Sequence, residues 1–197
     1  MQPTIPGEAE GKRKAIEEVI EQVKAGDKHA YQAIIVQFER QMYTYCYYIL
    51  KNHAETEDAV QEIFIRAYEH LHLYKRQVSF SAWLYKMAYH HLINIKRKQN
   101  RFLNLIEHYK EQQPVVTVSQ HDSVVYELLT YLTAEERHIL LLKAVEQYTF
   151  EEISGIMGLK SATIRKKYER LRHKLMDRIS QKGEVARGTI AGTNGIR

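Results

Sequence analysis

The chain has 197 residues, with 29 Lys and Arg against 24 Asp and Glu for a formal net charge of +5, and it is 44% hydrophobic and 27% charged. These are globular proportions that exclude a wholly disordered chain, and the length allows one domain or two small ones at roughly 100–200 residues each. A single cysteine, Cys46, excludes an internal disulfide and a cysteine-rich zinc site, and the longest aliphatic run, Ile139–Leu142, is far below the ~18 residues of a membrane span.

Residues 1–11 lack the apolar core of a signal peptide, so a reducing cytoplasm is the expected setting. Between Gly26 and Gly155 there is no glycine, and Pro114 is the one proline in that stretch. Strands joined by tight turns draw on both residues, whereas helices can be punctuated by polar caps. The expected fold class is all-α. Lys12–Lys24 reads as a short charged helix with Ile16, Val19, Ile20 and Val23 on one face, ended by Gly26. Asp27 is expected to cap a longer helix with the stripe Ile34, Phe38, Met42, Tyr45 and Ile49. Asn52 with Glu55 starts a third helix, whose inner face is Ala59, Val60, Ile63, Phe64, Ala67 and Leu71. After a polar break over about residues 72–78, Ser79 caps a fourth helix that runs from Phe80 into the basic stretch Lys96, Arg97, Lys98 and Arg101.

From Phe102 to about Asp122 periodicity fades around Pro114, which marks a linker. It resumes at Val124, Val125, Leu128, Leu129 and Leu132, followed by two capping boxes, Thr133 with Glu136 and Thr149 with Glu152. A last long helix is expected over about Ser161–Ile179. The glycine-containing tail after it has few apolar anchors and is expected to be disordered. The pattern predicts an N-terminal extension over 1–26, a helical domain over 27–101, a linker over 102–122, a second helical domain over 123–179 and a tail over 180–197.

The stretch Thr149–Arg172 has helix-turn-helix spacing: a small residue, Ser154, for the helix crossing, then Gly158 for a turn through positive φ, then Ile164 to seat the second helix. Ile153, Met157, Leu159 and Leu171 complete its core. Between Lys160 and Arg178 lie eight basic residues against Glu169 and Asp177, an electrostatic footprint suited to a phosphate backbone. Ser161, Thr163 and Arg165, near the helix N-terminus, are expected to face base edges. Lys166 joins this DNA-facing set, and Lys167, Arg170 and Lys174 are expected to hold mostly phosphates.

In the front half, Glu55, Glu57, Asp58 and Glu62 form an acidic cluster in an otherwise basic chain. The helix macrodipole accounts for Glu55 and Glu57 but not for Gln61 and Glu62, two turns in. Asp58, Gln61, Glu62 and Ile65 share one helix face, which suits a protein partner. Tyr74, Lys75, Arg76, Phe80, Trp83, Tyr85 and Tyr89 interleave bases and aromatics, as single-strand binding sites do, because nucleobases stack on rings while the backbone follows the charge. Trp83, with Leu84, Met87 and Ala88, is better explained as core. Tyr74, Lys75 and Arg76 sit in the polar break, where neither packing nor capping is expected to need them.

At these residues the chain resembles a family. The run Ala54–Ala67, AETEDAVQEIFIRA, is similar to the AEDLVQETFLRA signature of bacterial RNA polymerase sigma factors of the extracytoplasmic-function type. Phe80–Ala88 resembles the family's F-x-x-W-L-x-x-I-A helix. Leu132–Arg137, with Glu151, Glu152, Ile153 and Gly158, resembles its promoter-binding domain. The resemblance covers about residues 28–101 and 125–178, in the family's order.

It implies that Asp58, Gln61, Glu62 and Arg66 dock on the clamp helices of the polymerase β′ subunit, with the β flap as a further contact on the core. It implies that the loop about Leu73–Val78, with Tyr74, Lys75 and Arg76, and the helix from Phe80, with His90, Asn94 and Arg97, read the non-template strand of the −10 element, a base being unstacked into a pocket. The helix Ser161–Lys174 would read the −35 duplex, and the linker would thread towards the polymerase active-site cleft. An anti-sigma factor is admitted as a further partner. The chain departs from the family pattern at His90, Asn94, Ser154, Lys166 and Leu171.

No catalytic, cofactor or metal-binding role is expected. His53 with Glu57, and His90 with Asn94, share helix faces without a third ligand, and no Walker loop, G-x-S-x-G or H-E-x-x-H motif occurs. Cys46 reads as inert core. Two other readings stay open at this level: a conventional dimeric helix-turn-helix repressor or activator that does not bind core polymerase, and an interaction module that binds no DNA. A repressor dimer would span half-sites about one helical turn apart.

Overall fold

The computed structural model describes residues 6–107, 129 and 131–191, and among them there are helices and no strand. The chain divides into two compact units, one built from the helices before Pro114 and one from the helices after Val115.

The front unit holds four long helices: α1 (Pro6–Lys24), α2 (Tyr31–Leu50), α3 (His53–Glu69) and α4 (Phe80–Glu107). Pro6 opens α1, where a missing backbone N–H has no helical partner to lose, so the helix starts earlier than the apolar stripe predicts. Gly26, at φ +110°, ends it as expected. Asp27 does not cap α2 directly. Its Oδ1 accepts from the N–H groups of His29 and Ala30, and a turn of i→i+3 bonds over 28–33 leads into the helix. Lys51, left-handed at φ 60°, closes α2 through its N–H to the Tyr47 carbonyl, and Asn52 accepts from Glu55 N–H to start α3. Two residues thus turn the chain between antiparallel neighbours.

Every residue of the expected α2 and α3 stripes is buried. Tyr31 reaches from α2 to donate to the Phe64 carbonyl at 2.8 Å, and Tyr45 meets Tyr85 of α4 edge-on at 5.0 Å. Cys46 is fully buried, and burial pushes its thiol up to about 12, so it is core and not a nucleophile. A 3₁₀ turn, Leu71–Leu73, follows α3 and buries Leu71. Ser79 Oγ accepts from Ala82 N–H, the expected cap of α4. Residues 102–107 contain no breaker, and the helix runs to Glu107, inside the stretch expected as linker.

The rear unit holds α5 (Ala134–Leu140), a widened turn at Leu141–Val145, α6 (Phe150–Met157) and α7 (Ser161–Ala191). Both capping boxes form with all their bonds: Thr133 with Glu136 opens α5, and Thr149 with Glu152 opens α6. Leu129, Leu132, Ile139, Leu142, Ile153, Ile164 and Leu171 are buried together with His138. The last helix does not stop near Ile179 but continues to Ala191, correcting the expectation of a disordered tail over those residues. Gly183 and Gly188 disfavour helix by only about 1 kcal/mol each, and neither stops one already nucleated. The rest of the expected tail, and most of the linker, lie outside the described residues.

Candidate functional site

Three exposed surfaces carry the residues singled out by the sequence. On α3, Asp58, Gln61 and Arg66 are exposed and Glu62 is half-buried. Arg66 Nε donates to Glu62 Oε1 at 2.6 Å, and that bond holds the Glu62 carboxyl below the usual carboxylate range. Ile65 lies between them, 46% exposed, so the face has an apolar centre with a charged rim. His91 of α4 stands within the field of Glu62 and Arg66, and burial followed by the Arg66 charge lowers its pKa. Sequence spacing could not bring His91 to this face, because it belongs to another helix. Glu55, by contrast, accepts two bonds from Gln99 at 2.9 Å and so ties α3 to α4.

On α4, His90, Asn94 and Arg97 are exposed at steps of four and three, one continuous outward stripe. The loop before α4 differs from expectation. Tyr74, read as an exposed stacking platform, is only 3% exposed. Its ring packs edge-on against Phe80 at 5.4 Å and tilts against Trp83 at 5.5 Å, and Lys24 Nζ of α1 lies 5.5 Å from its centroid. Phe80 is buried too, against Phe38 of α2 at 5.5 Å. Neither ring is open to a base. The physical reason is tertiary: Glu17 and Lys24 of α1 and Phe80 and Trp83 of α4 close around Tyr74, and α1 lies fifty residues away in sequence.

Lys75 and Arg76 are exposed as expected. Arg76 is also ion-paired with two carboxylates of α1: Nε is 3.0 Å from Glu17 Oε2 and Nη2 is 3.3 Å from Glu21 Oε1. Glu17, Glu21 and Lys24 were missed in the sequence. Their spacing of four and three on one helix face, beside the apolar stripe, was the available signal.

In the rear unit the helix-turn-helix forms as its spacing predicts. Gly158 adopts φ +68° and its N–H bonds the Ser154 carbonyl. Ser154 Oγ donates to the Leu159 carbonyl at 2.6 Å, so the serine fastens the turn from within, and Ile164 is fully buried. On α7, Thr163, Arg165, Lys166, Arg170 and Lys174 are exposed, while Ser161 and Lys167 are half-buried.

Acidic residues in the first turns of α5 and α6 meet this basic helix. Ser161 Oγ donates to Glu151 Oε1 at 2.9 Å, and Arg165 lies 3.9 Å from the same oxygen with its guanidinium 5.1 Å above the Phe150 ring. Glu151's own backbone N–H, then Ser161 and Arg165, keep its carboxyl below the usual range. Lys167 pairs with Glu135 at 2.7 Å and Lys174 with Glu136 at 3.5 Å. Two of the expected phosphate contacts therefore start from partners within their own unit.

Among the described residues no three His, Cys, Asp or Glu come together as a metal site, and no helix is long and apolar enough to cross a membrane.

Comparison with known proteins follows the same division. The family model Sigma-70 region 2 matches residues 34–102, and Sigma-70, region 4 matches residues 123–175. The ECF RNA polymerase sigma factor SigW of Bacillus subtilis is 28% identical over 177 residues, covering 81% of this chain and 94% of that protein. SigX of the same organism is 25% identical over 194 residues, covering 85% and 99%. Among solved structures, the sigma factor RpoE in complex with the anti-sigma factor NepR from Bartonella quintana aligns with a TM-score of 0.64 at 18% identity, over 76% of this chain and 96% of that one. CnrH in complex with the cytosolic domain of CnrY aligns at 0.63, also at 18% identity, over 83% and 96%. Both share the all-helical fold.

Proposed function

Because the chain belongs to the sigma-70 family, as an RNA polymerase sigma factor of the extracytoplasmic-function type, we propose that its three exposed surfaces divide promoter recognition between them. Asp58, Gln61, Glu62 and Arg66 dock on the clamp helices of the polymerase β′ subunit, with Ile65 as their apolar centre. His90, Asn94 and Arg97 of α4, with Lys75 and Arg76 of the preceding loop, meet the non-template strand of the −10 element. Tyr74 and Phe80 serve that surface from beneath, by shaping the loop.

The N-terminal part of α7 enters the major groove of the −35 duplex. Ser161, Thr163, Arg165 and Lys166 face base edges, and Lys167, Arg170 and Lys174 face phosphates. The domains are then 27–101 for core polymerase and the −10 element and 123–179 for the −35 element and the β flap, and the connecting segment threads towards the active-site cleft. The chain works by recognition and strand separation, as a partner of the cytoplasmic polymerase, and is open to restraint by an anti-sigma factor.

The observation that carries this reading is the pair of matched regions, each presenting its own exposed surface in one chain. A repressor needs the basic helix but has no use for the α3 face. The test is a pull-down of purified core polymerase followed by run-off transcription from a promoter pool. Core polymerase is retained and selected promoters are transcribed on the sigma reading; a dimer that binds inverted repeats and leaves core polymerase in the flow-through overturns it.

A further inference from the structure

Helix α1 lies outside the stretch that matches Sigma-70 region 2, yet its polar face is built around the loop at Leu73–Val78. Glu17 is the centre of that contact. Its side chain is only 13% exposed, and one carboxylate serves two loop residues. Tyr74 has a single hydroxyl proton, which lies between Glu17 Oε1 at 2.6 Å and the Val78 carbonyl at 3.0 Å. The carboxylate is the closer and stronger acceptor. Arg76 Nε stands 3.0 Å from Glu17 Oε2, as an ion pair without hydrogen-bond alignment. Lys24, two turns on, donates to the Tyr74 carbonyl at 3.0 Å.

The bundle does not need a carboxylate here for stability. Ile20 and Val23 already bury the inner face of α1, and a half-desolvated acid is an unfavourable way to add to that. What the acid does supply is shape. Residues 75–78 are exposed and belong to no helix, so the loop keeps one form through Tyr74 and Arg76. A loop held in its binding form loses less conformational freedom when a strand docks.

We propose that Glu17 is a positioning residue for −10 strand capture, fixing through Tyr74 and Arg76 the form in which the Leu73–Val78 loop meets single-stranded DNA. This rests on the sigma-factor reading above. Arg76 keeps part of its guanidinium for a phosphate, since only Nε and Nη2 face the acids of α1 and its side chain is 59% exposed. The exposed Leu73, Gln77 and Val78 are then presented in a fixed order to an unstacked base.

Glu17→Gln is the variant, and Glu18→Gln the control, because Glu18 is exposed and the change removes the same charge one residue away. Trp83, the single tryptophan, sits 5.5 Å from the Tyr74 ring and reports on the loop in the isolated full chain. Acrylamide quenching of Trp83 should rise about twofold in Glu17→Gln and stay at the wild-type value in Glu18→Gln, on the scale of one lost charge-assisted contact. Lys24→Met should raise it as well, to a smaller extent.

With reconstituted polymerase and a promoter pool randomised over the −10 element, Glu17→Gln should flatten the −10 base preference by roughly fivefold, with core-polymerase affinity and −35 preference retained. Unchanged quenching, or an unchanged −10 preference, overturns the proposal. So does increased promoter opening, which would make Glu17 a latch that withholds Arg76. Failure of the wild-type chain to bind core polymerase is a different result, and it overturns the sigma-factor reading first.

Discussion

The two segments proposed to face DNA, the loop Leu73–Val78 and the helix α7, are both basic, and they reach their form by opposite routes. In α7 the outward set Thr163, Arg165, Lys166, Arg170 and Lys174 follows from helical period, and the turn before it follows from Gly158 at φ +68° and the cap at Thr149. Each determinant lies within a few residues of what it determines. The loop has no such internal rule. Tyr74 is fixed by Glu17 and Lys24 on α1 and by Phe80 and Trp83 on α4. The comparison teaches that a short polar segment between helices is defined by what it is packed against, so its composition alone misleads.

The largest expected effect separates these two routes. Tyr74→Ala should destabilise the front unit by ~3–5 kcal/mol, the range for truncating a buried aromatic, whereas Lys75→Ala should stay within about 0.5 kcal/mol of wild type. Denaturant unfolding of both variants checks this; equal, small changes would return Tyr74 to the surface and make it a stacking platform after all.

In the rear unit the corresponding substitution acts on recognition and not on folding. Arg165→Ala should cost ~1–3 kcal/mol in −35 binding and relax the preference at one or two base positions. Binding to a set of single-base promoter variants measures it. Uniform weakening across the set would mean that Arg165 holds a phosphate and that α7 is rotated about its axis in the groove.

The α3 face offers a third contrast, with protein in place of DNA. Gln61→Ala together with Glu62→Lys should weaken core-polymerase binding by at least ~1.5 kcal/mol, since it reverses a charge beside Ile65 on the proposed docking face. The melting temperature should barely move, because the solvent-contacting Glu62–Arg66 ion pair contributes little to stability. Titration of labelled core polymerase reads the first part and thermal unfolding the second.

The units should also differ in their response to acid. His138 is fully buried in the rear unit, and burial, with the Arg137 charge beside it, lowers its pKa to about 3. Below an unfolded value of about 6.5 the unfolded chain takes up a proton that the folded unit refuses. Stability is therefore fully present above that pH and falls as pH drops from about 6.5 towards 3, by up to about 1.4 kcal/mol per pH unit. Unfolding of the rear unit at pH 7 and pH 5 should show this, and His138→Gln should remove it. A slope that survives the substitution assigns it to another group.

The smallest effect sharpens the reading of α7 itself. Lys174→Ala should weaken binding to all sequences alike and reduce the salt slope by roughly one unit, because Lys174 exchanges an exposed 3.5 Å pair with Glu136 for a phosphate. An unchanged slope would leave Lys174 with Glu136 in the complex.

The all-α class, the buried stripes of α2 and α3, the capping boxes at Thr133 and Thr149, and the helix-turn-helix at Ser154, Gly158 and Ile164 could be read from the residues alone. All of these depend on periods and caps that act within one or two turns, so they are written in the order of the residues. The same holds for which face of α3 carries Asp58, Gln61 and Arg66, since a helix face is fixed by spacing.

Where α4 and α7 end was not legible in the same way. A stretch without a strong breaker suits a helix and a coil alike, and growth from an existing helix adds one hydrogen bond per residue ordered. That Tyr74 and Phe80 are core, that His91 lies in the field of Glu62 and Arg66 on α3, and that Glu17 reaches Arg76 depended on how the helices meet. These placements bring together side chains from helices that the sequence keeps tens of residues apart. No local propensity encodes such a meeting: it follows from α1 and the start of α4 coming together around Tyr74, where Glu17 and Lys24 bond it from one helix and Phe80 and Trp83 pack on it from the other.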